Sequence, residues 1–270
     1  MDNLREFQLE LLKMLEEMDT ILTDEKISYF LIGGSVLGTI RHKGFIPWDD
    51  DIDIGLYRKD FEKLESFFEN YFSEKISYEK IGKNINQSEP IGRIYLKKEY
   101  EEKKISKVID VFPIDNVPEN NFFRFIQYFF CQVYHISIHK KPAKNRGKIA
   151  YCFTKLILAL FPNILLNFLQ SLSKKVITYW NKKETKDVAN IYGIKGFYKE
   201  IMPREYIGKP ILKEFEGKKY PIPKNWDKYL THLYGDYMKL PDQKDRKPKH
   251  EKNKIKINLL EEEEWYLEQS

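Results

Sequence analysis

Ile32-Gly33-Gly34-Ser35-Val36-Leu37-Gly38, followed by Arg41-His42-Lys43-Gly44-Phe45-Ile46-Pro47-Trp48-Asp49-Asp50-Asp51-Ile52-Asp53-Ile54, is the stretch on which the reading of this chain turns. The apolar run Tyr29-Phe30-Leu31-Ile32 ends at a glycine pair, the pattern of a buried strand feeding a tight turn. Ser35 is then placed to cap a short helix through about Arg41. From Asp51 to Leu56 acid and apolar residues alternate with the period of a strand.

Four carboxylates fall within five residues: Asp49, Asp50, Asp51 and Asp53. On a strand, residues two apart share a face, so Asp51 and Asp53 are expected to project together with Ile52 and Ile54 packed behind them. Neighbouring carboxylates repel unless something neutralises them, and hard divalent cations with oxygen ligands do so. A helix–loop–helix calcium site needs Gly at its sixth position and Glu at its twelfth. Counted from Asp49, those positions are Ile54 and Asp60, which excludes it. A glycine pair between strand and helix lets backbone N–H groups approach a phosphate. Gly-Gly-Ser alone is weak, but followed some fifteen residues later by Asp-x-Asp it has the pattern of a metal-dependent nucleotidyltransferase core.

Outward from this stretch, residues 3–24 read as an amphipathic helix, with Leu4, Phe7, Leu11, Leu15, Met18 and Leu22 at three- and four-residue spacing. Residues 58–72 read as a helix, and 91–97 and 107–112 as strands. The fold class expected is α+β (α/β), a nucleotidyltransferase-like mixed sheet flanked by helices. Three segments are expected: a catalytic core over 1–120, a helical middle over 121–190, and a loop-rich C-terminal block over 191–270 that completes the active-site lobe. The middle carries a basic stretch over 140–155 without acids, then 21 mostly apolar residues from Ile149 to Leu169. The length permits a membrane span, but Lys155 and the Pro162-Asn163 break point to two helices meeting at Phe161-Pro162, lying in the core or on a membrane surface.

The chain has 270 residues and a formal net charge of +5, a mild excess that does not argue for nucleic acid. Cys131 and Cys152 are the only cysteines and read as reduced thiols. The charged N-terminus lacks the apolar region of a signal peptide, so a cytoplasmic setting is expected. His135 and His139 sit four apart, yet Cys131 is the one nearby partner, and a zinc set is not expected.

The quoted stretch resembles the LicD family of phosphocholine transferases, a pattern shared by the fukutin-related proteins. Ile109-Asp110-Val111-Phe112-Pro113-Ile114-Asp115 is similar to the family's next block. Met202-Pro203-Arg204-Glu205-Tyr206, Phe215-Glu216-Gly217, Pro221-Ile222-Pro223 and the run from Tyr229 to Met238 resemble its C-terminal block. The resemblance implies transfer of a phospho-alcohol from CDP-choline or another CDP-alcohol to a cell-surface glycan or its lipid-linked precursor. A lipid-linked acceptor would bring the enzyme to the inner face of an anionic membrane.

On this reading Asp51, Asp53 and Asp110 are the catalytic carboxylates and metal ligands for Mg2+ or Mn2+, with Asp110 either completing the metal site or accepting the acceptor's proton. Gly33, Gly34, Ser35 and Arg41 hold the donor phosphates. Asp49, Asp50, Asp115, His42 and Trp48 are further candidates. A choline ammonium would sit against aromatic faces, with Trp48, Trp226, Tyr234 and Tyr237 available. A nucleotidyltransferase moving NMP, the same chemistry with CDP-glycerol or CDP-ribitol, and a non-catalytic membrane-associated binding protein remain open alternatives.

Overall fold

The computed structural model describes residues 4–71, 73–80, 91–101, 107–139, 163–193 and 195–248, with residues 152, 155, 156 and 158. The basic stretch 140–155, the helix expected before Phe161 and the tail beyond 248 lie almost wholly outside them.

Helix α1 (Leu4–Asp24) buries the stripe foreseen from its spacing: Leu4, Phe7, Leu11, Leu15, Met18 and Leu22 are all in the core. Most of a helix's stability in a folded protein comes from packing its apolar face, and burial of this stripe contributes about 1.5–3 kcal/mol per large side chain. Strand β1 (Phe30–Leu31) leads into α2 (Gly33–His42), then β2 (Ile52–Tyr57), α3 (Arg58–Asn70), β3 (Ile76–Glu79), β4 (Gly92–Leu96), α4 (Lys97–Glu101) and β5 (Val108–Val117). A helical pair follows, α5 (Asn121–His139) and α6 (Asn163–Thr178), the latter running into a 3-10 turn over Tyr179–Lys182. Then come β6 (Asp187–Ala189), α7 (Phe197–Glu200), β7 (Ile201–Pro203), α8 (Arg204–Ile207), the hairpin β8 (Ile211–Phe215) and β9 (Lys218–Ile222), and α9 (Trp226–Tyr234).

The main sheet runs β1-β2-β5-β4-β3, with β6 and β7 joined to it through β5. Among the described residues, only β2 and β5 pair in parallel; the other pairs of this sheet are antiparallel. This is the expected mixed α+β sheet. Its spine is β5, which was expected to end at Phe112 and instead continues through Pro113 to Val117. Pro113 is tolerated because that edge changes partner there: β4 pairs with Val108–Val111 and β6 with Asp115–Val117. Residues 187–189, assigned to the helical middle, and 201–203, assigned to the C-terminal block, are therefore strands of the core sheet.

Candidate active site

The acidic run lies where the chain enters β2. Asp49, Asp50 and Asp51 precede the strand, while Ile52 and Ile54, fully buried, pin it to the core. The backbone of this approach is tied to α1, since the Gln8 side-chain amide donates to the carbonyls of Ile46 (3.3 Å) and Asp49 (3.0 Å). A second tie comes from the C-terminal block. Glu216 accepts both guanidinium nitrogens of Arg5 (2.9 and 2.6 Å) and the Phe45 N–H (3.1 Å). Burial pushes the Glu216 carboxyl up, but Arg5 and the Phe45 N–H outweigh it and leave it below its ordinary range. Gly44 is needed there, because a Cβ would stand 2.3 Å from a Glu216 carboxylate oxygen.

Asp49, Asp50 and Asp51 are all buried, and one carboxylate oxygen from each lies within 4.8 Å of the others. Among the described residues this is the one group of three or more such side chains that converges. Three carboxylate oxygens so close suit a hard divalent cation and no soft one. Asp49 and Asp50, expected to be secondary, thus stand with Asp51, while Asp53 and Asp110 lie outside the group.

Asp53 and Asp110 nevertheless face each other. They are register partners on parallel β2 and β5, so their side chains share one side of the sheet. Arg93 of β4 is the next residue in that row, and its Nε donates to Asp110 Oδ1 at 2.8 Å. Asp110 is thereby oriented within an Asp53–Asp110–Arg93 row. Asp115 is not in the site. Five residues from Asp110 on the same strand, it faces the opposite side and is fully buried against Arg58, which donates through Nε (2.7 Å) and Nη2 (2.6 Å). The Asn181 side chain donates a third bond, and Asp115 is a structural anchor.

The glycine turn differs in detail from expectation. Ile32, in extended backbone, takes the cap position of α2, and Gly33 adopts a left-handed φ of +56°. Ser35 already lies inside the helix, and its hydroxyl accepts the Asp53 N–H (3.0 Å), locking the turn to β2. The Ser35 N–H goes to the Ile32 carbonyl (3.1 Å), and the Gly33 N–H to the Tyr229 hydroxyl (2.9 Å). Arg41 ends the same helix half-buried, donating to the Tyr237 carbonyl (2.9 Å) and to His42 Nε2 (2.9 Å). Burial, with the Arg41 charge adding, drops His42 to about 4, so His42 is neutral at pH 7 and brings no charge to a phosphate. Its ring meets Trp48 edge-on.

Tyr229, Tyr234 and Glu200 belong to this site and were not picked out for it from the sequence, apart from Tyr234 as an ammonium face. Tyr234 is raised well above an ordinary phenol, first by burial and then by Asp53, Glu200, Asp49 and Asp51 around it. Glu200, on α7, is pushed up to about 7 by burial, against the opposing pull of Lys195 and Lys199. Nothing local marks these residues, because α7 and α9 reach β2 only through the tertiary fold. Of the expected aromatic faces, Trp48 lies under Arg246 (5.6 Å), Trp226 under Lys213 (5.9 Å) and Tyr234 under Lys195 (4.9 Å), each centroid already facing a cation. Tyr237 donates its hydroxyl to Asp227 (2.5 Å). Burial pushes the Cys131 thiol up.

A mixed sheet with a glycine turn opening a helix and convergent carboxylates at the entrance to the next strand has the arrangement of a transferase of the nucleotidyltransferase type. Residues 26–142 match the model of the LicD/FKTN/FKRP nucleotidyltransferase domain. A lipopolysaccharide cholinephosphotransferase LicD of Haemophilus influenzae is 33% identical over 266 residues, covering 92% of this chain and 96% of its own. The ribitol 5-phosphate transferase FKRP of human and mouse is 44% identical over 45 residues, 17% of this chain and 9% of FKRP. The chain belongs to the LicD/FKTN/FKRP family and is an enzyme, a transferase.

Proposed function

We propose that this enzyme transfers a phospho-alcohol, phosphocholine first among them, from a CDP-linked donor to a sugar hydroxyl of a cell-surface glycan or its lipid-linked precursor, releasing CMP. The observation that carries this reading is the near end-to-end similarity to a lipopolysaccharide cholinephosphotransferase. The acceptor hydroxyl oxygen attacks the phosphorus bearing the alcohol, the bond from that phosphorus to the bridging oxygen of CMP breaks, and the hydroxyl proton passes to a carboxylate. Asp110, the register partner of Asp53 and oriented by Arg93, is the carboxylate that would take that proton. Asp49, Asp50 and Asp51, with Asp53 beside them, would hold Mg2+ or Mn2+, which when bound neutralises phosphate charge. Gly34 and Arg41 would position the donor phosphates, and the acceleration rests on positioning and charge neutralisation. The work is done on the cytoplasmic side, where CDP-linked donors and lipid-linked acceptors meet.

The short FKRP match favours one second reading, the same chemistry with CDP-ribitol. The test is incubation with Mg2+ or Mn2+ and separately with CDP-choline, CDP-ribitol, CDP-glycerol and CTP, reading thermal shift and CMP release, with Asp51→Asn/Asp53→Asn as control. Metal-dependent CMP release from one CDP-alcohol, lost in the control, is expected. Pyrophosphate release from CTP would instead make it a nucleotidyltransferase.

A further inference from the structure

From Asn121 to Lys183 the chain carries eleven Lys or Arg and not one Asp or Glu, although 41 acids occur in the 270 residues. The described parts of that segment are chiefly α5 and α6, which pack against each other. Each helix buries one stripe and leaves another open. In α5 the buried stripe is Gln127, Cys131 and Tyr134; in α6 it is Leu166, Ser173 and Ile177. The open stripes are apolar where a soluble helix would be polar. Phe122 (66% exposed), Phe125 and Phe129 recur at spacings of three and four on α5. Ile164 (84% exposed), Phe168 and Leu172 recur every four residues on α6. Exposed cations flank them at Lys174, Lys175, Lys182 and Lys183, with Lys182 lying 4.7 Å from the exposed Tyr179 ring. Neither helix is long and apolar enough to cross a membrane.

We infer that the α5–α6 pair is a docking surface for an anionic lipid bilayer, its Phe and Ile side chains entering the headgroup boundary and its lysines meeting lipid phosphates. Large apolar side chains in two regular stripes favour an apolar phase over water. The absence of any carboxylate over 63 residues removes the repulsion an anionic surface would otherwise impose. The rest of the chain has the opposite net sign, with 35 Lys or Arg against 41 Asp or Glu. The purpose of this surface rests on the lipid-linked acceptor proposed above, since docking would bring the acidic cluster to such a substrate.

The test is co-sedimentation of the full chain with vesicles of phosphatidylcholine alone or mixed equally with phosphatidylglycerol, at low and high salt. Binding to the mixed vesicles, weakened by salt and weak on phosphatidylcholine alone, is expected. Phe125→Ser/Phe129→Ser/Phe168→Ser and Lys174→Glu/Lys175→Glu/Lys182→Glu/Lys183→Glu should each lower the partition at least tenfold, with unfolding and vesicle-free donor hydrolysis unchanged. No binding to mixed vesicles, or binding untouched by both variants, overturns the inference. So does a dimer in sedimentation velocity that the Phe variant dissociates while vesicles bind nothing, which would give this face to a second copy. Vesicle binding without turnover of any CDP-alcohol supports docking and refutes the proposed transfer reaction.

Discussion

The sheet-bearing core and the α5–α6 segment treat charge in opposite ways. Residues 121–183 hold eleven cations and no acid, while the remainder of the chain holds 35 cations against 41 acids. A net charge of +5 is thus the sum of +11 and −6. In the core, charges are held in pairs: Arg58 with Asp115 fully buried, Arg93 with Asp110 largely so, and Arg5 with Glu216 at the surface. In the helical pair, lysines stay exposed beside exposed aromatics. Buried charges need partners and define positions; exposed ones of a single sign define a field. The core is built to place side chains, and the helical pair to meet something outside.

The sharpest way to break this contrast is at the acidic cluster. Asp51→Asn/Asp53→Asn should lower CMP release by at least ~10^3-fold, about 4 kcal/mol of transition-state stabilisation, with cooperative unfolding retained. A comparable loss of CMP release from the lysine variant of α6, measured without vesicles, would abolish the division of labour. A second test concerns the buried pairs. Arg58→Ala leaves Asp115 charged and fully buried, and should cost about 3–5 kcal/mol in urea unfolding, whereas Lys174→Ala in the helical pair should be within ~0.5 kcal/mol of wild type.

Smaller effects sharpen the picture at the site's frame. Gly44→Ala would drive a Cβ into the Glu216 carboxylate and should cost about 1–3 kcal/mol, detected as a lower Tm. Burial pushes the Glu200 carboxyl up to about 7 in the folded chain, from an ordinary value of 4.5. The folded state therefore keeps a proton that the unfolded chain releases, so this group erodes stability as pH rises from about 4.5 to 7. Glu200→Gln should raise Tm at pH 8 and change it little at pH 4; a rise at pH 4 equal to that at pH 8 would sink the explanation.

Much of the core was legible because its signals are local. The spacing of Leu11, Leu15 and Met18 is a helix face whatever packs on it, and Ile52 and Ile54 alternate with acids as only a half-buried strand does. Local signals failed where a partner decides the outcome. Ser35 looks like a cap by position, but its hydroxyl is taken by the Asp53 N–H across the turn. Pro113 looks like the end of a strand, yet β5 continues because no partner needs a donor at that edge.

By itself the sequence determined the class of fold, the strand that the acidic run leads into and the family to which the chain belongs, since these depend on periodicity and on residue types close together along the chain. Only the tertiary structure decided which carboxylates converge. Asp49, Asp50 and Asp51 come together at the strand entrance, Asp110 is turned to Arg93, and Asp115, on the opposite face of β5, is held by Arg58. It also brought Tyr229 to Gly33, 196 positions away in the chain. The reason is physical: the orientation of a charged side chain is set by the nearest opposite charge in space, and that neighbour is chosen by strand register and helix packing, which no local spacing encodes.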